Sequence, residues 1–314
     1  MTVSKPSSRT LARAAALLGR GRLVAFPTET VYGLGAAADD ARAVLALYAA
    51  KGRPRFNPLI AHVVDIGAAR RLVRFDARAE ILAEAFWPGP LTLVLPRAAG
   101  GAVCALARAN LDTLGVRVPD HEVALALLRR FGCAIVAPSA NRSGRLSPTT
   151  AQAVRLGLGA RVDLVLEGGP CRVGLESTIV DLSGQRAALL REGGIARAAI
   201  EALIGRLAQG GSAIKAPGML ASHYAPRARL RLDATDARPG EAYLGFGALP
   251  KLAADIPALS LSTARDLAQA ARNLFGYLQT LDRAHVKTIA VAAIPATGLG
   301  AAIRDRLARA AAPR

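Results

Sequence analysis

The chain has 314 residues, 52% of them apolar and 20% charged, and it carries a net charge of +18. Its length is about twice that of a typical domain and its composition is that of a folded chain, which excludes a disordered or fibrous protein. No run approaches the roughly 18 apolar residues of a spanning helix, and the opening MTVSKPSSRT lacks the cationic-then-apolar design of a signal peptide, so a cytoplasmic protein is expected.

In chain order, Ser7 and Ser8 precede LARAAALLGRG, a capped helix with glycine punctuation. RLVAF then reads as a short strand stopped by Pro27, and PTETVYGLG as a polar loop whose Gly33 and Gly35 suit a turn. Asp39 and Asp40 open a helix that runs into Lys51 and stops at Gly52. LIAHVV is a strand, helical segments follow to Phe86, and WPGP breaks them. LTLVLP and LGVRVP are strands, HEVALALLRRFG is a helix, and CAIVAP is a buried strand that places Cys133 in the core. Ser147-Pro148 is a fair start for the helix TTAQAVRLG, and strands at 164–166 and 177–182 bracket a glycine-rich loop. From Gln209 to Arg229 periodicity lapses, as in a linker; beyond it a helix from about Ser262 to Asp282, the strand VKTIAVAAI and the helix LGAAIRDRLARAA form a second α/β unit. Strands that meet without an intervening helix argue for a mixed sheet.

Only five of the 41 cations are lysine, and they are scattered with no basic tail, so the charge reads as a compositional bias toward arginine. The exception is KGRPRFNPLIAH, where Lys51, Arg53 and Arg55 crowd five positions and Gly52 and Pro54 set an unusual backbone course. A solvated helix end explains the cations but not the backbone; a polyanion explains both, because phosphates need several charge-assisted donors from one loop. Hydroxyls, amides and cations recur just beyond strand ends, where open α/β sheets place ligands. The cysteines Cys104, Cys133 and Cys171 form no CxxC pair, and no P-loop, HExxH or GxSxG motif occurs. His62 taken alone reads as a satisfied core residue.

The stretches FPTETVYGLG, KGRPRFNPLIAHV, FWPGPLTLVL, GVRVPDH, APSANRSGRLSPTTA, ESTIVDL, LLREGGI, APGMLASHYAP and GLGAAIRDRLARAA, in this order, closely resemble the two-domain threonylcarbamoyl-AMP synthases. The resemblance implies an open twisted mixed sheet with flanking helices, of YrdC-like kind (1–205), a linker over the active site (206–230) and a small Rossmann-like α/β Sua5 domain (231–314). It implies a nucleotidyltransferase that condenses ATP, L-threonine and bicarbonate or carbon dioxide for t6A formation in tRNA, and a downstream threonylcarbamoyl transferase complex as a further partner.

By the same resemblance Lys51, Arg53, Ser139 and Asn141 are catalytic. ATP is held by these four with Asn57, Thr113, Ser147, Arg191 and Tyr224, and threonine by Thr30, His62, Arg117, the Ala137 backbone and Ser177. The linker departs from the commoner SPGM spelling in having Ala216 before Pro217-Gly218-Met219. Magnesium is expected with ATP, but no carboxylate pair identifies its ligands. Two other functions remain open at this level. One is an RNA-binding module without catalysis. The other is a carbamoyltransferase like those of hydrogenase-maturation proteins, whose zinc-finger and acylphosphatase segments do not occur here.

Overall fold

Most helices begin where a short side chain can accept the first free backbone N–H groups, the usual solution to unpaired helix-start donors. The computed structural model describes residues 2–211, 216–218, 222–284 and 286–313. Ser7 forms a capping box with Thr10 at α1 (Ser8–Gly19), and Asp40 caps α2 (Ala41–Lys51), which ends on the left-handed Gly52. Asp65 and Asp76 cap α3 (Ile66–Arg70) and α4 (Ala77–Phe86), and His121 caps α5 (Glu122–Phe131). Thr150 caps α6 (Ala151–Leu158), three residues after Ser147, whose hydroxyl donates to Glu176. α7 (Arg197–Ile204) begins without a side-chain cap.

Among the described residues eleven strands form the first sheet. They are β1 (Thr2–Ser4), β2 (Val24–Phe26), β3 (Gly33–Ala37), β4 (Ile60–His62), β5 (Leu91–Pro96), β6 (Thr113–Arg117), β7 (Ile135–Val136), β8 (Leu164–Leu166), β9 (Thr178–Asp181), β10 (Ala188–Arg191) and β11 (Ala208–Gln209). Their order is β1-β8-β2-β3-β7-β4-β6-β5-β9-β10-β11. The sheet is mixed: β4 runs parallel to β6 and β5 to β9, while β2/β3, β3/β7, β4/β7 and β5/β6 are antiparallel. The second sheet, of β12 (Arg229–Arg231), β13 (Glu241–Gly245), β14 (Ala258–Ser260) and β15 (Thr288–Val291), is wholly parallel in the order β12-β15-β13-β14. Its helices are α8 (Leu267–Arg283) and α9 (Leu299–Ala311).

Several expectations change. Gly33 and Gly35 lie in β3 rather than in a turn. A Cβ at Gly35 would stand 2.9 Å from both Ile135 and Phe26, so glycine there serves close packing. Cys133 is exposed, Cys104 half-buried and Cys171 buried, because β7 is shorter than the apolar run that contains it. The long second-unit helix starts at Leu267 on its Asp266 cap rather than near Ser262. The strands β1, β10, β11, β12 and β14 and the helix α7 carry no strong periodic signal. Positions 212–215 and 219–221 of the linker, including Met219, lie outside the described residues.

Burial on the two faces of the first sheet is unequal, and this positions the site. One face packs Leu34, Ala61, Leu93 and Val116 under α2, α4 and α6. On the other, α1 and α5 cover Val24, Phe26, Ile135 and Leu164. The remainder, Ile60, Val94, Ile179 and Leu190, meets Ala216 of the linker. A second core joins Val31, Leu146 and Leu175 of the first unit to Tyr224, Phe275 and Ile303, so the small unit is docked through apolar contacts.

Gly193 lets the chain leaving β10 pass against the entry to β9: a Cβ there would lie 2.3 Å from the Thr178 nitrogen and 2.5 Å from the Glu176 oxygen. Backbone cannot yield as a side-chain tip can. Gly193→Ala should therefore cost about 1–3 kcal/mol in a urea-unfolding measurement; an unchanged midpoint would show that the two segments separate freely.

Candidate active site

The uncovered part of the first sheet holds a cavity of about 40 Å³. Its floor comes from strand ends, as the geometry of open sheets predicts. β4 ends in His62, β6 ends in Arg117, β7 runs into Ala137 and Ser139, β2 leads to Thr28 and Thr30, and β10 ends in Arg191. Arg117 and Thr92 project from the cavity face because their neighbours Val116, Leu91 and Leu93 pack in the opposite core. The roof is Pro217, Gly218, His223 and Tyr224. Tyr224 is buried with a left-handed backbone (φ 62), a conformation that is strained for a bulky residue.

Of the residues expected in the site, Thr30, Arg53, His62, Arg117, Ala137, Ser139, Ser177, Arg191 and Tyr224 line this cavity. Lys51 stands behind it. Its ammonium donates to the carbonyls of Ser139 and Asn141, each at 2.5 Å, and so braces the Ser-Ala-Asn loop. Asn57 accepts from Arg53 at 2.6 Å, and Arg53 also donates to the Pro58 carbonyl at 2.9 Å. Asn141 donates to the carbonyls of Arg142 and Arg145. The Asn57 amide nitrogen and the Asn141 amide oxygen are buried without hydrogen-bond partners among the described residues. Ser147 is fully buried and donates to Glu176 at 2.5 Å. Thr113 is not brought to the cavity: it shares the face of Arg117 but lies four residues, roughly 13 Å, back along β6.

Two carboxylates absent from the sequence expectation complete the set. Glu29 meets Arg117 at 2.7 Å, a charge contact outside hydrogen-bond alignment, and its other oxygen accepts from the Asp120 N–H. Glu176 is paired with Arg306 of α9 at 2.8 Å. Both sit in stretches whose hydroxyl neighbours drew attention first, and nothing local marks a carboxylate that will be buried. Arg191 donates to the Ser177 carbonyl at 2.9 Å and to its hydroxyl at 3.1 Å, and Ser177 shares a hydrogen bond with Thr92.

Burial dominates the electrostatics. It lowers Lys51 well below the ordinary lysine range, and Arg53 beside it adds to the effect; Arg53 itself is lowered to about 10. Both side chains are held by carbonyl oxygens rather than carboxylates, so no anion of the chain offsets the cost of burying their charge. No group of three or more His, Cys, Asp or Glu side chains that could hold a metal ion occurs among the described residues. With Glu29 and Glu176 each committed to a guanidinium, the chain's own groups do not fit a resident metal.

His62 and His223 are both pushed down to about 3, chiefly by burial, with Arg117 adding to the effect on His62. The unfolded chain takes up protons near pH 6.5 that the folded chain refuses until about pH 3. Stability should therefore fall as pH drops through that window, by about 1–2 kcal/mol per histidine at pH 5. His62→Gln should flatten the dependence of the urea midpoint between pH 7 and 5; a slope identical to the parent's would contradict a neutral buried His62.

Two family models match, one described as telomere recombination (the Sua5, YciO and YrdC group) over residues 16–193 and one as the threonylcarbamoyl-AMP synthase C-terminal domain over residues 195–312. A Pyrococcus abyssi protein named threonylcarbamoyl-AMP synthase is 39% identical, the match covering 96% of this chain and 94% of that one. A Bacillus subtilis protein of the same name is also 39% identical, with 97% and 93% covered. The crystal structure of P. abyssi Sua5 complexed with L-threonine superposes with a TM-score of 0.91 at 36% identity, covering 99% of this chain and 98% of that one. Matched along nearly its whole length, with the cavity residues inside the matched segments, the chain belongs to the two-domain, Sua5 kind of threonylcarbamoyl-AMP synthase family.

Proposed function

We propose that the chain condenses ATP, L-threonine and bicarbonate or carbon dioxide to threonylcarbamoyl-AMP and pyrophosphate, a nucleotidyl transfer that serves t6A formation in tRNA. The observation that carries this reading is a charge imbalance: Arg53, Arg117 and Arg191 line one cavity with Lys51 buried behind it, while Glu29 faces only Arg117 and Glu176 is taken by Arg306. Such a site awaits anions, and a triphosphate together with an amino-acid carboxylate supplies them. The relatives' names and the threonine held by the P. abyssi structure agree with it.

On this reading threonine's amine and carbon dioxide form a carbamate, already an anion. Its oxygen bonds to the α-phosphorus as the bridge to the β-phosphate breaks and pyrophosphate leaves. The chain's task is positioning and charge neutralisation. Lys51, Arg53, Ser139 and Asn141 hold the reacting phosphates, with Asn57, Arg191 and Tyr224 on the rest of ATP; Thr113, outside the present cavity, would meet only a part of the nucleotide that extends along β6. Ser147, its proton committed to Glu176, is left as an acceptor suited to a sugar hydroxyl or base amine. Thr30, His62, Arg117, the Ala137 backbone and Ser177 receive threonine, with Arg117 on its carboxylate.

Magnesium would arrive with the nucleotide. Residues 1–205 form the catalytic domain, 206–230 the linker and 231–314 the second domain. The protein would act in the cytoplasm, beside tRNA and a threonylcarbamoyl transferase complex.

Pyrophosphate release should require ATP, threonine and bicarbonate together, and release indifferent to threonine would refute the assignment. Lys51→Ala and Arg53→Ala should each lower kcat/KM by about a hundredfold or more in folded protein, and Arg117→Ala should cost about 2–5 kcal/mol in kcat/KM for threonine. Parent-like kinetics in these variants would place the substrates elsewhere.

A further inference from the structure

Arg306 is the most buried cation among the described residues, 1% exposed, although it belongs to α9 of the second unit. Its side chain crosses to the first. Nε donates to Glu176 at 2.8 Å, one terminal nitrogen to the Glu192 carbonyl at 2.8 Å and the other to Asp305 at 2.5 Å. The guanidinium carbon stands 5.0 Å from the Tyr224 ring centre, within cation–π range.

Each of these contacts outside its own helix adjoins the cavity. Glu176 lines it, precedes Ser177 and accepts the Ser147 proton; Glu192 follows Arg191; Tyr224 is part of the roof. An unpaired carboxylate at Glu176 would repel a polyanion and compete for Arg191. With Arg306 on one oxygen and Ser147 on the other, that charge is cancelled and its direction set.

We propose, resting on the function assigned above, that Arg306 is a positioning residue supplied by the second unit: it masks Glu176 and turns it toward Ser147, so that Ser147 and Arg191 are presented to the nucleotide. This gives the small unit a specific electrostatic task at the site.

The test is pyrophosphate-release kinetics of the full chain, with ATP and threonine varied separately below each variant's melting temperature. Arg306→Met should raise the KM for ATP about tenfold, with threonine's KM within about threefold of the parent. Glu176→Gln combined with Arg306→Met should restore most of the ATP KM, since the repelling charge is gone and both buried ions are removed. Arg306→Lys should fall between, because an ammonium can pair with Glu176 but lacks the planar fork that also reaches Glu192. Arg304→Ala, on the same helix but outside these contacts, should match the parent.

A lowered melting temperature with an unchanged ATP KM in Arg306→Met would reduce the residue to a structural ion pair and overturn the proposal. So would a double variant as impaired as the single one. If Arg306→Met does not fold, Arg306→Lys decides: an ATP KM equal to the parent's overturns the proposal. A parent chain without threonine-dependent release would instead indict the assigned function, and the same variants read by calorimetric ATP binding would still judge the role of Arg306.

Discussion

Moving a cation from water into a protein interior costs several kcal/mol unless charge and hydrogen bonds replace its hydration. This chain buries Lys51, Arg53, Arg117, Arg191 and Arg306 in or behind one small cavity; Glu29 faces Arg117, and Glu176 and Asp305 both pair with Arg306. The remaining stabilisation comes from carbonyl oxygens: Ser139 and Asn141 for Lys51, Asn57 and Pro58 for Arg53, Gly89 for Arg117, and Ser177 and Pro217 for Arg191. Carbonyl dipoles satisfy N–H groups without cancelling the charge. The cleft is therefore rigid and still electropositive, the state a site for anionic substrates requires.

That arrangement depends on the uneven covering of the first sheet. If α1 and α5 spanned its whole face, the ends of β4 and β6 would lie under apolar side chains. They stop short, and the gap is closed by the linker and the docked second unit. The roof is held by packing rather than by regular secondary structure. Tyr224 keeps its strained backbone because its ring lies beside His223, Phe275 and the Arg306 guanidinium. A roof held this way can shift without unfolding either sheet.

The overall charge has little part in this. The cations that matter are buried in specific positions, whereas Arg55, Arg142 and Arg145 near the same loops are exposed. An arginine-rich surface accounts for the net +18, while the cavity is built from cations whose exposure the composition does not reveal.

Several features were legible in the residues alone: the capped α2 running into Lys51, the strands at LTLVLP and LGVRVP, the mixed character of the sheet, the second α/β unit, and the ordered motifs that identify the family. Each depends on local patterning, such as caps, breakers and period, which a single stretch carries by itself. Glu29 against Arg117, Glu176 between Ser147 and Arg306, and the distance of Thr113 from the cavity were not legible. Nor was the role of Gly35 and Gly193 as close-packing positions. These depend on which segments the fold sets side by side, from Glu29 with Arg117 to Glu176 with Arg306, the latter 130 residues apart. Sequence thus determined the elements, the family and most of the candidate side chains. Only the tertiary structure decided which charges are paired, which remain uncompensated and what covers them, because burial and Coulomb energy are properties of the assembled cleft and not of any one stretch.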